Sequence, residues 1–477
     1  MVNENAELIV SADEDTKCTP IHIIMNNKSI GDMFDVVRYL VETNPDSLLA
    51  KDSKYGHTPL HVACNNGHMT ESIIELLLRV CPDSIHERNI YSSLPLHCLT
   101  DTVVQDDKVG IDILKLLLEA HPDSVSENEG YGHLPLHLAA YKKSSGFCKV
   151  LVDAYPESVR RGDGFGHLPL HNACGFGGRP DTVEYLSGLY PESLQTRNND
   201  GYLPIHCAAN SPGDNTAEIV NVLLRHDPDC VSKPVVSDSD DNGALPLHLV
   251  CSSRDKSNVT EHLFDLYPEA ILTRNGRGQL PIDVIREKLE FRQSWNFSVD
   301  RETKLIPFLQ SQMSYAYKAK DENAMRTPDN NCLLPLHDAI RYNAPLGSIK
   351  LLVKGNTDAI NVPDGNGIHP FDIASQFSTV GVVKYLAGLV PDRLNACDVN
   401  KSYPLHHACR GGNCELIEYL LKTPMSSASV SERNVDDMLP IHLFCEFVNE
   451  QEEKEDTAEY TETIWRLLTS YPETILN

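Results

Sequence analysis

No apolar run in this sequence approaches the ~18–20 residues that span a bilayer. The opening, Met1-Val-Asn-Glu-Asn-Ala-Glu, lacks the charged, apolar and small-residue zones of a secretory signal. Basic residues are scarce: 41 Lys and Arg stand against 68 Asp and Glu, a formal charge of −27. Such a field repels duplex nucleic acid and anionic membrane on average and favours basic partners. No glycine-rich phosphate loop is present, and no Gly-x-Ser-x-Gly elbow or kinase signature. These absences predict a chain without a membrane span, cytoplasmic with the nucleus also compatible, that needs no cofactor and has no catalytic residues.

What is present repeats. Leu-Pro-Leu-His or a close variant occurs twelve times, with its proline at 20, 59, 95, 135, 169, 204, 246, 281, 335, 370, 404 and 440. The eleven steps between them run 39, 36, 40, 34, 35, 42, 35, 54, 35, 34 and 36 residues. Units of this length stack as helix pairs, so no single globular core is required. A hydrophobic fraction of 41% suits a body whose core is one helix pair thick.

Repeat two shows the unit: Tyr55-Gly-His-Thr-Pro-Leu-His-Val-Ala-Cys-Asn-Asn-Gly-His68, then Ser72-Ile-Ile-Glu-Leu-Leu-Leu-Arg79. Gly56 offers the positive φ of a tight turn. Thr58 is placed to cap the first helix and Pro59 to open it. Ala63 lets neighbouring helices approach, Gly67 is expected to end the helix, and the Ile-Ile-x-Leu-Leu-Leu stretch is the apolar stripe of the second helix. The unit resembles the ankyrin repeat over roughly residues 16–477. The resemblance implies an all-α solenoid of about twelve helix-turn-helix repeats joined by β-hairpin-like fingers. The expected layout is an acidic, disordered lead-in over 1–15, repeats one to eight (start) over 16–283, an extended insertion over 284–330, and repeats nine to twelve over 331–477.

Two departures from the family pattern stand out. Thr precedes the motif proline only at Thr19 and Thr58, while eight repeats carry Leu: Leu94, Leu134, Leu168, Leu203, Leu245, Leu280, Leu334 and Leu439. A lost cap hydroxyl costs about 0.5–2 kcal/mol, and burying a leucine returns roughly 1.5–3 kcal/mol. The position is therefore expected to face the neighbouring repeat. The second departure is a Pro-acid pair after helix two, repeated nine times from Pro45-Asp46 to Pro472-Glu473. Proline denies the helix a donor and pushes its predecessor out of the helical region, so these pairs should stop helix two.

Histidine and cysteine are plentiful, at 20 and 14. The densest cluster, His406-His407-Ala-Cys409-Arg-Gly-Gly-Asn-Cys414, invites a zinc reading. Ten histidines, however, are the motif residue: His22, His61, His97, His137, His171, His206, His248, His337, His406 and His442. The resemblance gives that residue a structural role, which Asp283 and Asp372 fill in two repeats. Cys64, Cys174, Cys251, Cys409 and Cys445 each lie five residues after a motif proline. One residue type recurring at one packing position reads as small buried thiols in a reducing compartment. No metal site is expected.

The 54-residue step from Pro281 to Pro335 reads either as two elongated helices continuing the stack or as a hinge or docking arm. Ser237 and Ser239 lie among acids in an exposed insertion and are candidate phosphate acceptors. Trp465 takes a position that is charged in other repeats, as either a local end cap, the preferred reading, or a docking residue. Four residues before the motif proline, repeats two to five carry Tyr55, Tyr91, Tyr131 and Phe165; polar residues follow at Asp200 and Asn242. The resemblance implies a concave groove there. The four rings either anchor a partner or cover neighbouring fingers. The leading expectation is a scaffold or adaptor binding protein partners, basic ones favoured. A regulatory or inhibitory enzyme subunit is the alternative, and a metal-dependent enzyme the least supported reading. Oligomeric state is not legible.

If the thiols are reduced and structural, titration of the native protein should label few of them and the denatured protein all fourteen. Several disulfides would contradict the reading.

Overall fold

The computed structural model describes residue 13 and residues 16–175, 177–211, 213–239, 241–252, 257–294, 300–329, 333–423, 430–450 and 457–470. Most of the predicted lead-in and the Pro472-Glu473 pair lie outside them. Contacts divide the chain into two compact units, Met1–Val259 with Arg274–Gln279, and Thr260–Thr273 with Leu280–Asn477.

In the first unit each motif proline opens a short helix, such as Pro59–Cys64, Pro95–Asp101, Pro135–Lys142 and Pro169–Gly175. Each packs on the next in sequence order. The second helices, among them Glu71–Val80, Asp107–Ala120 and Ser145–Ala154, form a second layer. Their apolar stripe faces inward: Ile73, Ile74, Leu76 and Leu77 are buried. The second unit repeats the scheme with first helices Pro335–Arg341, Pro370–Phe377, Pro404–Arg410 and Pro440–Glu450. Among the described residues no β-strand forms, so the fold is an all-α stack of helix pairs.

The motif histidine connects one repeat to the next. His61 Nδ1 accepts the backbone N–H of Thr58 at 3.3 Å and its hydroxyl at 2.8 Å, while Nε2 donates across to the Ser93 carbonyl at 3.0 Å. His97 does the same between the Leu94 N–H, at 3.1 Å, and the Glu127 carbonyl, at 3.0 Å. Acceptance at Nδ1 and donation at Nε2 require the neutral Nε2–H ring. Burial enforces it, lowering the pKa of His61, His97, His137, His171, His206 and His406 to about 4.

This arrangement explains the leucines before proline and corrects the capping argument. The Thr58 hydroxyl bonds the histidine ring rather than an orphan helix N–H, so a leucine there forfeits no backbone cap. All eight leucines are buried, Leu94 and Leu203 at 1% and Leu280, the most exposed, at 7%. The transfer gain of burial is therefore kept.

Helix two ends as expected and then does something the sequence reading did not foresee. Cys81, before Pro82, leaves the helical region at φ −136°, and its N–H still closes the last turn on Leu77. Pro82 then opens a one-turn 3₁₀ helix, Pro82–His86. The pattern recurs at Pro45, Pro122, Pro156, Pro191, Pro228, Pro268 and Pro391. Two residues after proline, Ser47, Ser84 and Ser124 donate their hydroxyls to the carbonyl three residues back, at 2.6–2.7 Å. Thr357–Asn361 forms the same turn without proline, so proline reinforces the stop but is not its sole cause.

Glycine roles were half legible. Gly56 has φ 65°, and Ser92 takes φ 60° at the same place in repeat three. Gly67 does not end the first helix, which stops at Cys64 with Asn65 as its cap. A Cβ at Gly67 would stand 2.2 Å from the Val103 carbonyl oxygen, so glycine is needed for close approach of the next repeat. The long step after Pro281 holds two elongated helices, Pro281–Ser294 and Asp300–Lys320. The second packs against Leu346–Gly355, where Ser348 bonds Gln312 at 2.5 Å with both side chains buried.

One side chain breaks the burial rules. Lys143, at the end of a first helix, is 1% exposed. Its Nζ has no hydrogen-bond partner and lies 4.9 Å from the Phe147 ring centre. Burial lowers its pKa to about 8. Charging this amine therefore costs the fold stability below pH 8, and the cost fades as pH rises towards the unfolded value of 10.5. Lys143→Met keeps the chain length and removes the charge. It should raise stability by about 1–3 kcal/mol in urea unfolding at neutral pH. Unchanged or reduced stability would mean that the ammonium is satisfied where it sits.

Candidate partner-binding surface

The loops preceding the motif prolines form fingers, and a polar side chain at the base closes those of repeats two to six. Asn89 N–H donates to the Ser93 carbonyl at 3.1 Å, and its side-chain oxygen accepts from Tyr91 and Ser93 N–H at 2.9 Å. Asp52, Glu129, Asp163 and Asn198 occupy the same place in neighbouring fingers and also accept backbone N–H groups. Sequence reasoning missed these residues. Their signal was an acidic or amide residue recurring six or seven positions before the motif proline.

Adjacent fingers share a single backbone bond through the carbonyls of the four aromatic residues. Tyr55 accepts from Ile90, Tyr91 from Gly130, Tyr131 from Gly164 and Phe165 from Asn199, at 2.7–3.0 Å. The backbone of each is thereby fixed while its ring stays outside the core. Tyr55, Tyr91, Tyr131 and Phe165 are 36%, 42%, 56% and 49% exposed. They form two groups rather than one even row. The Tyr55 and Tyr91 ring centres lie 6.4 Å apart, whereas Tyr131 and Phe165 are each paired with His133, at 6.2 and 6.4 Å. The rings thus touch neighbours across fingers and still present area to solvent.

His133 joins two fingers electrostatically. Its Nδ1 lies 2.7 Å from Glu129 Oε1 and its Nε2 3.1 Å from Asp163 Oδ2, which His167 also approaches at 3.5 Å. Burial works to lower the His133 pKa, but the Asp163 and Glu129 carboxylates outweigh it and hold the pKa above the ordinary histidine value. Burial likewise opposes ionisation of Asp163, and its two histidines overcome that to hold it well below the carboxylate range.

Beside the rings lies a cavity of about 550 Å³, walled by Tyr55, Tyr91, Tyr131 and His133 and floored by Asn65 and Asp101. Lys142 Nζ sits 2.8 Å from Asp101 Oδ1, and the Tyr141 hydroxyl bonds the same carboxylate. A second cavity, of about 490 Å³, continues along the following fingers between His167, Asn172, Asp200, Tyr202 and Asp241.

The sequence profile described as ankyrin repeats (3 copies) matches residues 2–88, 103–193 and 336–434, more than half of the chain. The chain belongs to the ankyrin-repeat family. No curated protein matches this ankyrin-repeat chain in a sequence search. Among its described residues no helix is long and apolar enough to cross a membrane. Among the described residues, no three His, Cys, Asp or Glu side chains converge on a position that could hold a metal ion. His406 is occupied by the Glu432 carbonyl at 3.1 Å and His407 by Asp398 at 3.2 Å. The cysteines five after the proline are buried at Cys64, Cys174, Cys251 and Cys409 and half-buried at Cys445. Burial raises the thiol pKa well above the ordinary value at Cys64, Cys174 and Cys409. Trp465 is 62% exposed, which does not match the end-cap packing expected of it.

Proposed function

We propose that this ankyrin-repeat chain is a non-catalytic scaffold or adaptor that holds a protein partner along the fingertip groove of its first unit. Ankyrin repeats serve generally as protein-interaction modules, and the observation that carries the reading is the group of partly exposed rings beside the 550 Å³ cavity. Tyr55, Tyr91, Tyr131 and Phe165 are backbone-anchored aromatic side chains, partly exposed, of the kind that often dominate interface energy. The formal charge of −27 favours a basic partner segment and disfavours nucleic acid. The cavity floor, where Asp101 is already paired with Lys142, adds polar contacts for orientation rather than a free charge.

The test is a variant in which all four rings become alanine, assayed against a partner recovered by affinity capture. Binding should weaken by several kcal/mol, since anchor residues each contribute about 2 kcal/mol or more. Melting should move little, because fingertip side chains contribute little to the inter-repeat core. A markedly lower melting temperature with intrinsic affinity preserved would assign the rings to finger packing and end the reading.

A further inference from the structure

At the histidine junctions, the motif ring of one repeat donates to a backbone carbonyl of the next. Repeat ten carries Asp372 in its place. An ionised carboxylate can only accept, so this junction lacks the donor. Asp372 Oδ2 retains the inward half of the task, taking the His369 N–H at 3.4 Å. Its Oδ1 has no hydrogen-bond partner although the residue is 0% exposed.

Repeat eleven carries a histidine one position further along its first helix. Three residues after its motif proline stands His407, where several other repeats have Val62, Cys98, Leu138 or Ile373 and repeats five and nine have Asn172 and Asp338. His407 is 3% exposed, its Nε2 lies 3.2 Å from Asp398 Oδ2, and its Nδ1 is also buried without a partner. The helices Pro370–Phe377 and Pro404–Arg410 that carry Asp372 and His407 pack directly on each other. His407, Arg393 and Asp398 are the charged or titratable groups acting on Asp372. On the far side of the cluster, His369 feels Arg393, His337 and Asp364, and its Nδ1 is likewise buried and unpartnered.

We propose that the junction between repeats ten and eleven is an acid-tightened joint, in which a proton taken up by Asp372 supplies the donor that the motif histidine supplies elsewhere. The junction then strengthens over the range in which the histidine junctions weaken. Burial pushes the Asp372 carboxyl up to about 6, against the opposing pull of His407 and Arg393. Its folded pKa is above the unfolded 3.8, so the closed junction binds the proton more tightly and gains stability as pH falls through 6. At the motif histidines the folded pKa is about 4 against 6.5, so the open state takes the proton first and stability is lost as pH falls below 6.5. His369, whose pKa burial also lowers, acts in the histidine sense and partly opposes Asp372.

Hydrogen exchange of the full chain at pH 7.5 and 5.5, corrected for intrinsic rate, reads each junction separately. Opening of Pro370–Phe377 from Pro404–Arg410 should become less frequent at pH 5.5, by up to about fourfold, the full contribution of Asp372 before the opposing share of His369. Opening between Pro59–Cys64 and Pro95–Asp101 should become about tenfold more frequent. Asp372→Asn, uncharged and of the same shape, should abolish the gain in protection at pH 5.5, leaving only the opposing response of His369, and should leave the second junction unchanged; Asp372→His should reverse the first. If the wild-type segment 370–377 loses protection in step with the histidine junctions, the proposal is wrong, whether or not either variant folds. An Asp372→Asn protein that responds like wild type would also overturn it.

Discussion

A stack of helix pairs has to solve one problem at every joint: short first helices expose unsatisfied backbone groups that the next repeat then buries. In this chain a neutral imidazole solves it twice over. Its Nδ1 satisfies the N–H of the residue before the motif proline, and its Nε2–H satisfies a carbonyl of the following repeat. A buried backbone group left unpaired costs about 1–3 kcal/mol, so each ring removes two such penalties at one interface. The ring must be uncharged to do both, and its burial ensures that it is.

Much else follows from that ring. Because it serves the helix start, the preceding residue is released from capping and becomes a buried leucine in eight repeats. Because it reaches into the next finger, the fingers are held at fixed spacing and need only one backbone bond between neighbours. That frees the aromatic side chains at the tips from any core duty, and they stand partly exposed, three of them beside a cavity. At Asp283 and Asp372 the ring is absent. Asp283 still accepts the Leu280 N–H, at 3.0 Å, but an ionised carboxylate donates to no carbonyl.

The parts of the fold that depend on periodicity were legible in the sequence. The twelve motif prolines marked the first helices, the Ile and Leu stripes the second, and the leucines before proline were expected to be buried and are. The fingertip rings were found by position, though not their division into the Tyr55–Tyr91 pair and the group around His133, which depends on side-chain directions. The 3₁₀ turns after helix two were missed because proline was read only as a stop, while Ser47, Ser84 and Ser124 signal a turn that is itself hydrogen-bonded. Gly67 was misassigned because glycine's two uses, positive φ and close approach, look alike in one sequence. Lys143 could not be foreseen: a lysine at a helix end is normally solvated, and only tertiary packing buries it.

The account rests on the motif rings being neutral Nε2–H donors in the folded protein, and nitrogen-15 spectra of histidine-labelled full-length chain, titrated from pH 7.5 downward, test this most directly. His61, His97, His137, His171, His206 and His406 should show the Nε2–H tautomer and stay uncharged through pH 6.5, protonating only as the fold fails towards pH 4. Rings that carry the proton on Nδ1, or that titrate reversibly near 6.5 with the fold intact, would contradict it.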